Sequence, residues 1–242
     1  MVPLSNKLTT ITMGRIINKR KASKRAVVVI VDGQDEQIYL EQAKCYYCSS
    51  KPELRSIKVK PELPEKKKKK KVSELFDFAK KKLQEEYTDV ILILDFDGPL
   101  DSPNEFDQFR KYYEKYKLVK ENKLPTKDIR GYKWMENITL IINSPCLEYW
   151  FLLHFAPSNI TKFYQTYKPE LEKDVKKLPN FKDYDKSEDF YQKTPDIFTR
   201  LGGIDNLTHA RKYKENQKFE LDTCKTRGVS EMAKLFDFFD EL

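Results

Sequence analysis

Hydrophobic residues in this chain fall into unbroken runs and into helically spaced sets. Residues 27–32 (VVVIVD) and 90–97 (VILILDFD) are continuous aliphatic stretches that end abruptly in acid. Such runs mark strands buried on both faces, as in a parallel sheet, and predict strands over 26–31 and 88–96. Residues 138–142 (ITLII) have the same character, and 55–59 (RSIKV) alternates weakly, as a strand nearer an edge does. Between these runs the period becomes helical. Residues 35–48 place Ile38, Leu40 and Ala43 mostly on one side, and 72–86 carries Leu75, Phe76, Ala79 and Leu83 at helical spacing. Gly33 gives the backbone room to turn between the first strand and its helix. A further helix is expected over 104–116, then a basic loop over 117–134. Residues 145–155 (PCLEYWFLLHF) open with a proline suited to a helix start and are apolar on nearly every side. Beyond Pro157 the pattern becomes polar and lysine-rich, with helices expected at 160–167, 187–201, 205–216 and 230–241. The last has Met232, Leu235, Phe236 and Phe239 at core spacing.

Strands alternating with helices predict an α/β fold with a mainly parallel sheet flanked by helices, followed by a C-terminal helical region. The expected organisation is a basic N-terminal arm (1–25), an α/β core (26–156) and the helical region (157–242). At 242 residues the chain is long enough to bury a sizeable core.

The formal charge of +8, with 35% charged residues, suits a protein that presents a basic surface to phosphodiesters, and equally one that is merely soluble. Basic residues concentrate in 1–25, which has no acid, and in 60–71, where two prolines precede six consecutive lysines. Both segments read as solvated, or as electrostatic contacts for nucleic acid. Seven glycines with neither a GxGxxG nor a GxxxxGK[ST] pattern argue against a phosphate-cradling nucleotide loop. Cys45, Cys48, Cys146 and Cys224 include one CxxC, without a second pair or a histidine cluster at zinc spacing, and read as reduced thiols of a cytoplasmic protein. No signal peptide is expected, and no apolar run reaches about 18 residues.

The acids at the strand ends then carry the chemistry. In open α/β sheets the working residues sit just past the carboxyl ends of the strands, where Asp32 with Glu36 and Asp95 with Asp97 fall. On a fully extended strand Asp95 and Asp97 would share one face and meet one hard cation through oxygen. Without a cation they would repel and raise one another's pKa. The expectation is that Asp32, Glu36, Asp95 and Asp97 converge on Mg²⁺ or Mn²⁺. Glu36 also falls in a first helical turn, where the dipole favours an acid without any function. Glu148 stands inside a greasy helix, a costly place for an acid unless it is paired or ligating. His154, among apolar residues, is either a satisfied core histidine or a site residue.

Three blocks resemble the RloB-like family, bacterial and archaeal proteins often found near restriction and phage-defence loci. DGQDEQIYLE (32–41) is similar to its EGxTExxYxE-type segment, and YTDVILILDFDGP (87–99) to its DxDD segment. NITLIINSPCLEYWFLLHF (137–155) resembles the most specific block, SNPCFELWLLLHF. More weakly, Tyr191-Gln192-Lys193 with Asp196, then Ala210-Arg211, resemble its C-terminal helical part. That family is similar in turn to TOPRIM domains, compact Rossmann-like folds that use Mg²⁺ to cut, join or synthesise nucleic-acid strands. The resemblance implies that Asp32 holds the position of the family's glutamate, one methylene shorter. It also makes Asp95 and Asp97 the DxD, Glu36 the second acid of the first block, and Asn143, Glu148 and His154 residues that line or support the same site.

The expected function is therefore a divalent-metal-dependent nuclease of a prokaryotic defence system, acting on DNA or RNA. The alternative is a catalytically weak or inactive TOPRIM-like subunit of a defence complex, partnered by other defence-locus proteins, that binds nucleic acid or a nucleotide. A response-regulator-like receiver, which also gathers aspartates at strand ends, fits the tight DxD and the 145–155 helix poorly.

Overall fold

Helices cover both faces of the central sheet, which is the physical reason its strands read as unbroken aliphatic runs. The computed structural model describes residues 26–48, 51–60, 70–85, 87–165 and 167–241. The basic arm (1–25) and most of the lysine-rich segment (61–69) lie outside the described residues. In chain order the elements are β1 (Val27–Ile30), α1 (Gln34–Tyr47), β2 (Lys58–Lys60), α2 (Val72–Glu85), β3 (Asp89–Asp95), α3 (Asp97–Asp101), α4 (Pro103–Lys120) and α5 (Ile129–Tyr132). There follow β4 (Ile138–Ser144), α6 (Glu148–Leu153), α7 (Tyr167–Val175), α8 (Glu188–Gln192), α9 (Ile197–Arg200), α10 (Gly203–Arg211), β5 (Val229–Ser230) and α11 (Ala233–Glu241).

The strands lie in the order β2-β1-β3-β4-β5, the first four parallel and β5 antiparallel to β4. Alternation along each strand sorts the core into two layers. Val27, Val29, Ile91, Ile93 and Ile141 face α1, α6 and the C-terminal helices; Val28, Ile30, Leu92, Leu94 and Leu140 face α2 and α4. The mainly parallel α/β sheet expected from the runs is therefore present. β5 and α11, which come late in the chain, join the same sheet and core as residues before 157.

Several element boundaries differ from expectation, each for a local reason. Pro52 opens a 3₁₀ turn that runs to Ser56, so the edge strand begins only at Lys58, not at 55. Residues 160–165 are not helical: Asn159 Oδ1 accepts from the Thr161 backbone N–H at 3.0 Å, a bond that competes with a helix, and α7 begins at Tyr167. The helix expected at 187–201 is two short helices. Lys193 is extended, Pro195 offers no N–H, and Asp196 then caps α9 by accepting from the Thr199 N–H at 2.7 Å. Ser230 belongs to β5 and not to the last helix, because its backbone N–H is taken by Gln217 Oε1 at 2.8 Å. Finally, β3 stops at Asp95. Phe96 turns to φ −90°, ψ 0°, and Asp97 opens α3, so Asp95 and Asp97 do not share one face of an extended strand.

Candidate functional site

The chain leaves β1 for β2 on one side of the sheet, while β3 lies on the other. The carboxyl ends of β1 and β3 therefore flank the point where strand order reverses, the place where ligands bind in open α/β sheets. Asp32, buried just past β1, acts electrostatically on Lys70, which leads into α2. Glu36 lies in the first turn of α1 and is buried. Its carboxylate folds over Gly33 so closely that a β-carbon there would collide with Oε2. Burial pushes the Glu36 carboxyl well above its ordinary value; Asp95, Asp35 and Glu148 push it further, and Lys186 opposes them. Those influences place Glu36, Asp95 and Glu148 in one electrostatic neighbourhood.

Asp95, the last residue of β3, begins a polar row across the sheet. Asp95, Asn143 on β4 and Ser230 on β5 share one register. Asn143 Nδ2 donates to Asp95 Oδ1 at 3.4 Å, and Ser230 Oγ donates to Asn143 Oδ1 at 2.6 Å. A carboxylate in the buried edge of a sheet is thus held by an amide that is itself held. Asp97 is half-buried and accepts from the Gly98 N–H at 2.6 Å.

Glu148, 3% exposed, sits in the first turn of α6 beside these acids. Its Oε1 accepts from the Tyr184 hydroxyl at 2.6 Å and pairs with Lys186 Nζ at 2.9 Å. Burial would raise the Glu148 carboxyl, but Lys186, Cys146 and Tyr184 together hold it below its ordinary value. The cost of an acid in an apolar helix is met by partners from a distant part of the chain. Burial, and then Glu148, push the Cys146 thiol up, so it is a protonated neighbour and not a thiolate. The thiol touches the same carboxylate, yet Oε2 is buried without a hydrogen bond of ordinary geometry among the described residues.

A cavity of about 310 Å³ opens here, between Asp97, Cys146 and Glu148 on one side and Lys168, Leu171, Glu172, Tyr184 and Lys186 on the other. His154 does not line it. The imidazole lies at the end of α6, edge-on to Trp150 with ring centroids 5.0 Å apart, and burial pushes its pKa down to about 3. It is neutral throughout the physiological range.

Four of the seven residues expected from sequence, Glu36, Asp95, Asn143 and Glu148, are linked by hydrogen bonds or direct electrostatic influence. Asp97 borders them through the cavity, Asp32 faces Lys70, and His154 packs elsewhere. Among the described residues no group of three or more His, Cys, Asp or Glu is already gathered around one point as a metal would require. The donor set nonetheless fits a hard cation in kind. Its ligand atoms are carboxylate oxygens, and the Glu36 carboxyl, raised first by burial, is raised further by Asp95, Asp35 and Glu148 against a single opposing lysine. Tyr184, Lys186 and Lys168 carried no sequence signal, being a tyrosine and two lysines among many.

A mainly parallel sheet with helices on both faces, and with buried acids and a cavity at its carboxyl edge, defines an α/β protein of the doubly wound class. The chain belongs to the RloB-like protein family, whose model matches residues 27–238. No curated protein and no solved structure matches it. Among the described residues no helix is long and apolar enough to cross a membrane.

Proposed function

We propose that this RloB-like protein is a divalent-metal-dependent nuclease that hydrolyses phosphodiester bonds in DNA or RNA, in the prokaryotic defence setting that the family resemblance implies. The observation that carries the reading is the electrostatic strain at the switch point: Glu36 raised by burial and by Asp95, beside a cavity bordered by Asp97 and two lysines. Asp32, Glu36, Asp95 and Asp97 are the residues that would hold Mg²⁺ or Mn²⁺. When bound, such a cation polarises a phosphodiester and lowers the pKa of water. Asn143 fixes the orientation of Asp95, and Ser230 fixes Asn143. Lys186 brings positive charge to the neighbourhood of Asp95 and Glu36, where a phosphate would enter. Glu36 keeps a proton to a higher pH than an exposed glutamate does.

A second reading, binding without catalysis, is favoured by Asp32. A general base one methylene short of the family's glutamate is displaced by over about 1 Å, enough to cost roughly 10²-fold in rate. Calorimetry with Mn²⁺ on wild type and on Asp95→Ala/Asp97→Ala, followed by cleavage assays on single- and double-stranded DNA and RNA, tests both. Binding and cleavage that vanish in the double variant support the nuclease. Salt-sensitive nucleic-acid binding that survives chelation and the double variant, with no cleavage by wild type, refutes it in favour of the binding subunit.

A further inference from the structure

The cavity beside the acids has a chemistry of its own. Its floor is Glu148, whose Oε2 is buried and takes no hydrogen bond of ordinary geometry among the described residues. Leu171 and Tyr184 form a buried apolar wall. Lys186 and Lys168 stand at the rim, Lys186 half-exposed and Lys168 3.3 Å from Asp101 at the surface. Asp97 marks the side that meets the acidic cluster.

Each feature narrows the occupant. Beyond Tyr184 and Lys186, which take Oε1, the Glu148 carboxylate has among the described residues only the weak S–H donor of Cys146. Oε2 therefore calls for an N–H or O–H donor, because a poorly satisfied acceptor in an apolar site is costly. At Glu148 a neutral donor is favoured over a second cation, since the Lys186 ammonium already lies 2.9 Å from the other oxygen of the same carboxylate. The lining also carries Asp97 and Glu172, the latter paired with Lys176 at 2.6 Å, so a negative group finds its counter-charge only on the side of Lys186 and Lys168. About 310 Å³ lies at the lower end of small-molecule pockets and admits one planar ring with its sugar, not a duplex. A nucleotide combines these properties: a flat apolar ring, hydrogen-bond donors on base and sugar, and a phosphate.

We propose that this cavity binds a single nucleotide unit, with a base or sugar donor on Glu148 Oε2, the ring against Leu171 and Tyr184, and the phosphate at Lys186 and Lys168. The inference rests on the nuclease reading and deepens it. With Asp97 at its edge, the pocket would set the phosphodiester next to the bound unit beside the acids. The substrate is then single-stranded or frayed, with one base unstacked and inserted. A free nucleoside monophosphate offers the same chemistry.

Titration calorimetry in EDTA tests the pocket apart from metal chemistry, using nucleoside 5′-monophosphates and short 5′-phosphorylated single strands as probes. Wild type binds, and Lys186→Met and Glu148→Gln each weaken binding by about tenfold or more. In Glu148→Gln the amide oxygen stays with the donors Tyr184 and Lys186, so its NH₂ replaces an acceptor with a donor. Lys218→Ala, an exposed lysine paired with Glu215 and absent from the cavity wall, binds as wild type. Tighter binding of strands than of mononucleotides identifies the polymer as the source, and equal binding identifies the free nucleotide. The proposal is overturned if wild type binds neither, or if the variants melt as folded proteins and bind unchanged. Should Glu148→Gln not fold, the half-exposed Lys186→Met decides. Binding without any metal-dependent cleavage keeps the pocket and removes the nuclease reading; cleavage indifferent to both variants does the reverse.

Discussion

Replacing Asn143 by aspartate isolates the electrostatics of the site in a single atom. Asn143 is fully buried, donates to Asp95 Oδ1 across 3.4 Å and accepts from Ser230 Oγ. Aspartate has the same shape, so the Ser230 bond persists and no cavity opens. The change is a carboxylate oxygen where an amide donor faced Asp95. Two unit charges at that separation repel by about 5 kcal/mol at an effective dielectric constant of about 20. Protonation limits the cost. Keeping neutral a carboxyl of ordinary pKa near 3.9 takes about 4 kcal/mol at neutral pH, and only about 1.5 kcal/mol at about pH 5. The folded-state pKa is raised, so the penalty is absent below the unfolded pKa and is complete once pH exceeds the folded one. At about 2–4 °C per kcal/mol for a domain of this size, the variant melts roughly 10 °C below wild type near pH 7.5, and a few degrees below it near pH 5. Differential scanning calorimetry in EDTA reads the two differences. Equal differences at both pH values would refute carboxylate repulsion as the cause.

Two further substitutions probe the same cluster. The raised Glu36 carboxyl costs stability that is absent below its ordinary value of 4.5, grows as pH rises from there and is complete once pH exceeds the folded value. Glu36→Gln is therefore more stable than wild type above neutrality and no more stable near pH 4; urea denaturation across pH that shows no crossover would contradict this. Gly33 has an extended backbone (φ −134°, ψ 176°) that alanine adopts freely, but its β-carbon would meet the Glu36 carboxylate. Gly33→Ala should leave the melting temperature unchanged or raise stability by about 0.4–1 kcal/mol, while Mn²⁺ affinity measured by calorimetry falls about tenfold. Unaltered Mn²⁺ binding would show that the Glu36 position does not matter to the site.

The aliphatic runs at β1, β3 and β4 were legible because a strand covered on both faces has no polar positions to interrupt it. The acids that end those runs were legible for the same reason, since Asp32 and Asp95 break an otherwise apolar pattern. Glu148 stood out as the one acid in the helix that follows β4. Its partners did not. Tyr184 and Lys186 lie 36 and 38 residues further on, in a polar stretch whose spacing says nothing of where it docks. β5 escaped notice because two residues are too few for a period, and it is defined by its pairing with β4. The turn at Phe96 was equally hidden: a DxD spacing is the same whether the second acid continues a strand or opens a helix. Local sequence determined the buried strands β1, β3 and β4, which acids end β1 and β3, and that one acid sits in an apolar helix. Only tertiary structure decided that Asn143 and Ser230 stand in line with Asp95, that Lys186 closes on Glu148, and that a cavity is left between them. Hydrophobic periodicity is a property of neighbours along the chain, whereas ion pairs and cavities depend on segments that meet only when the sheet and its helices pack.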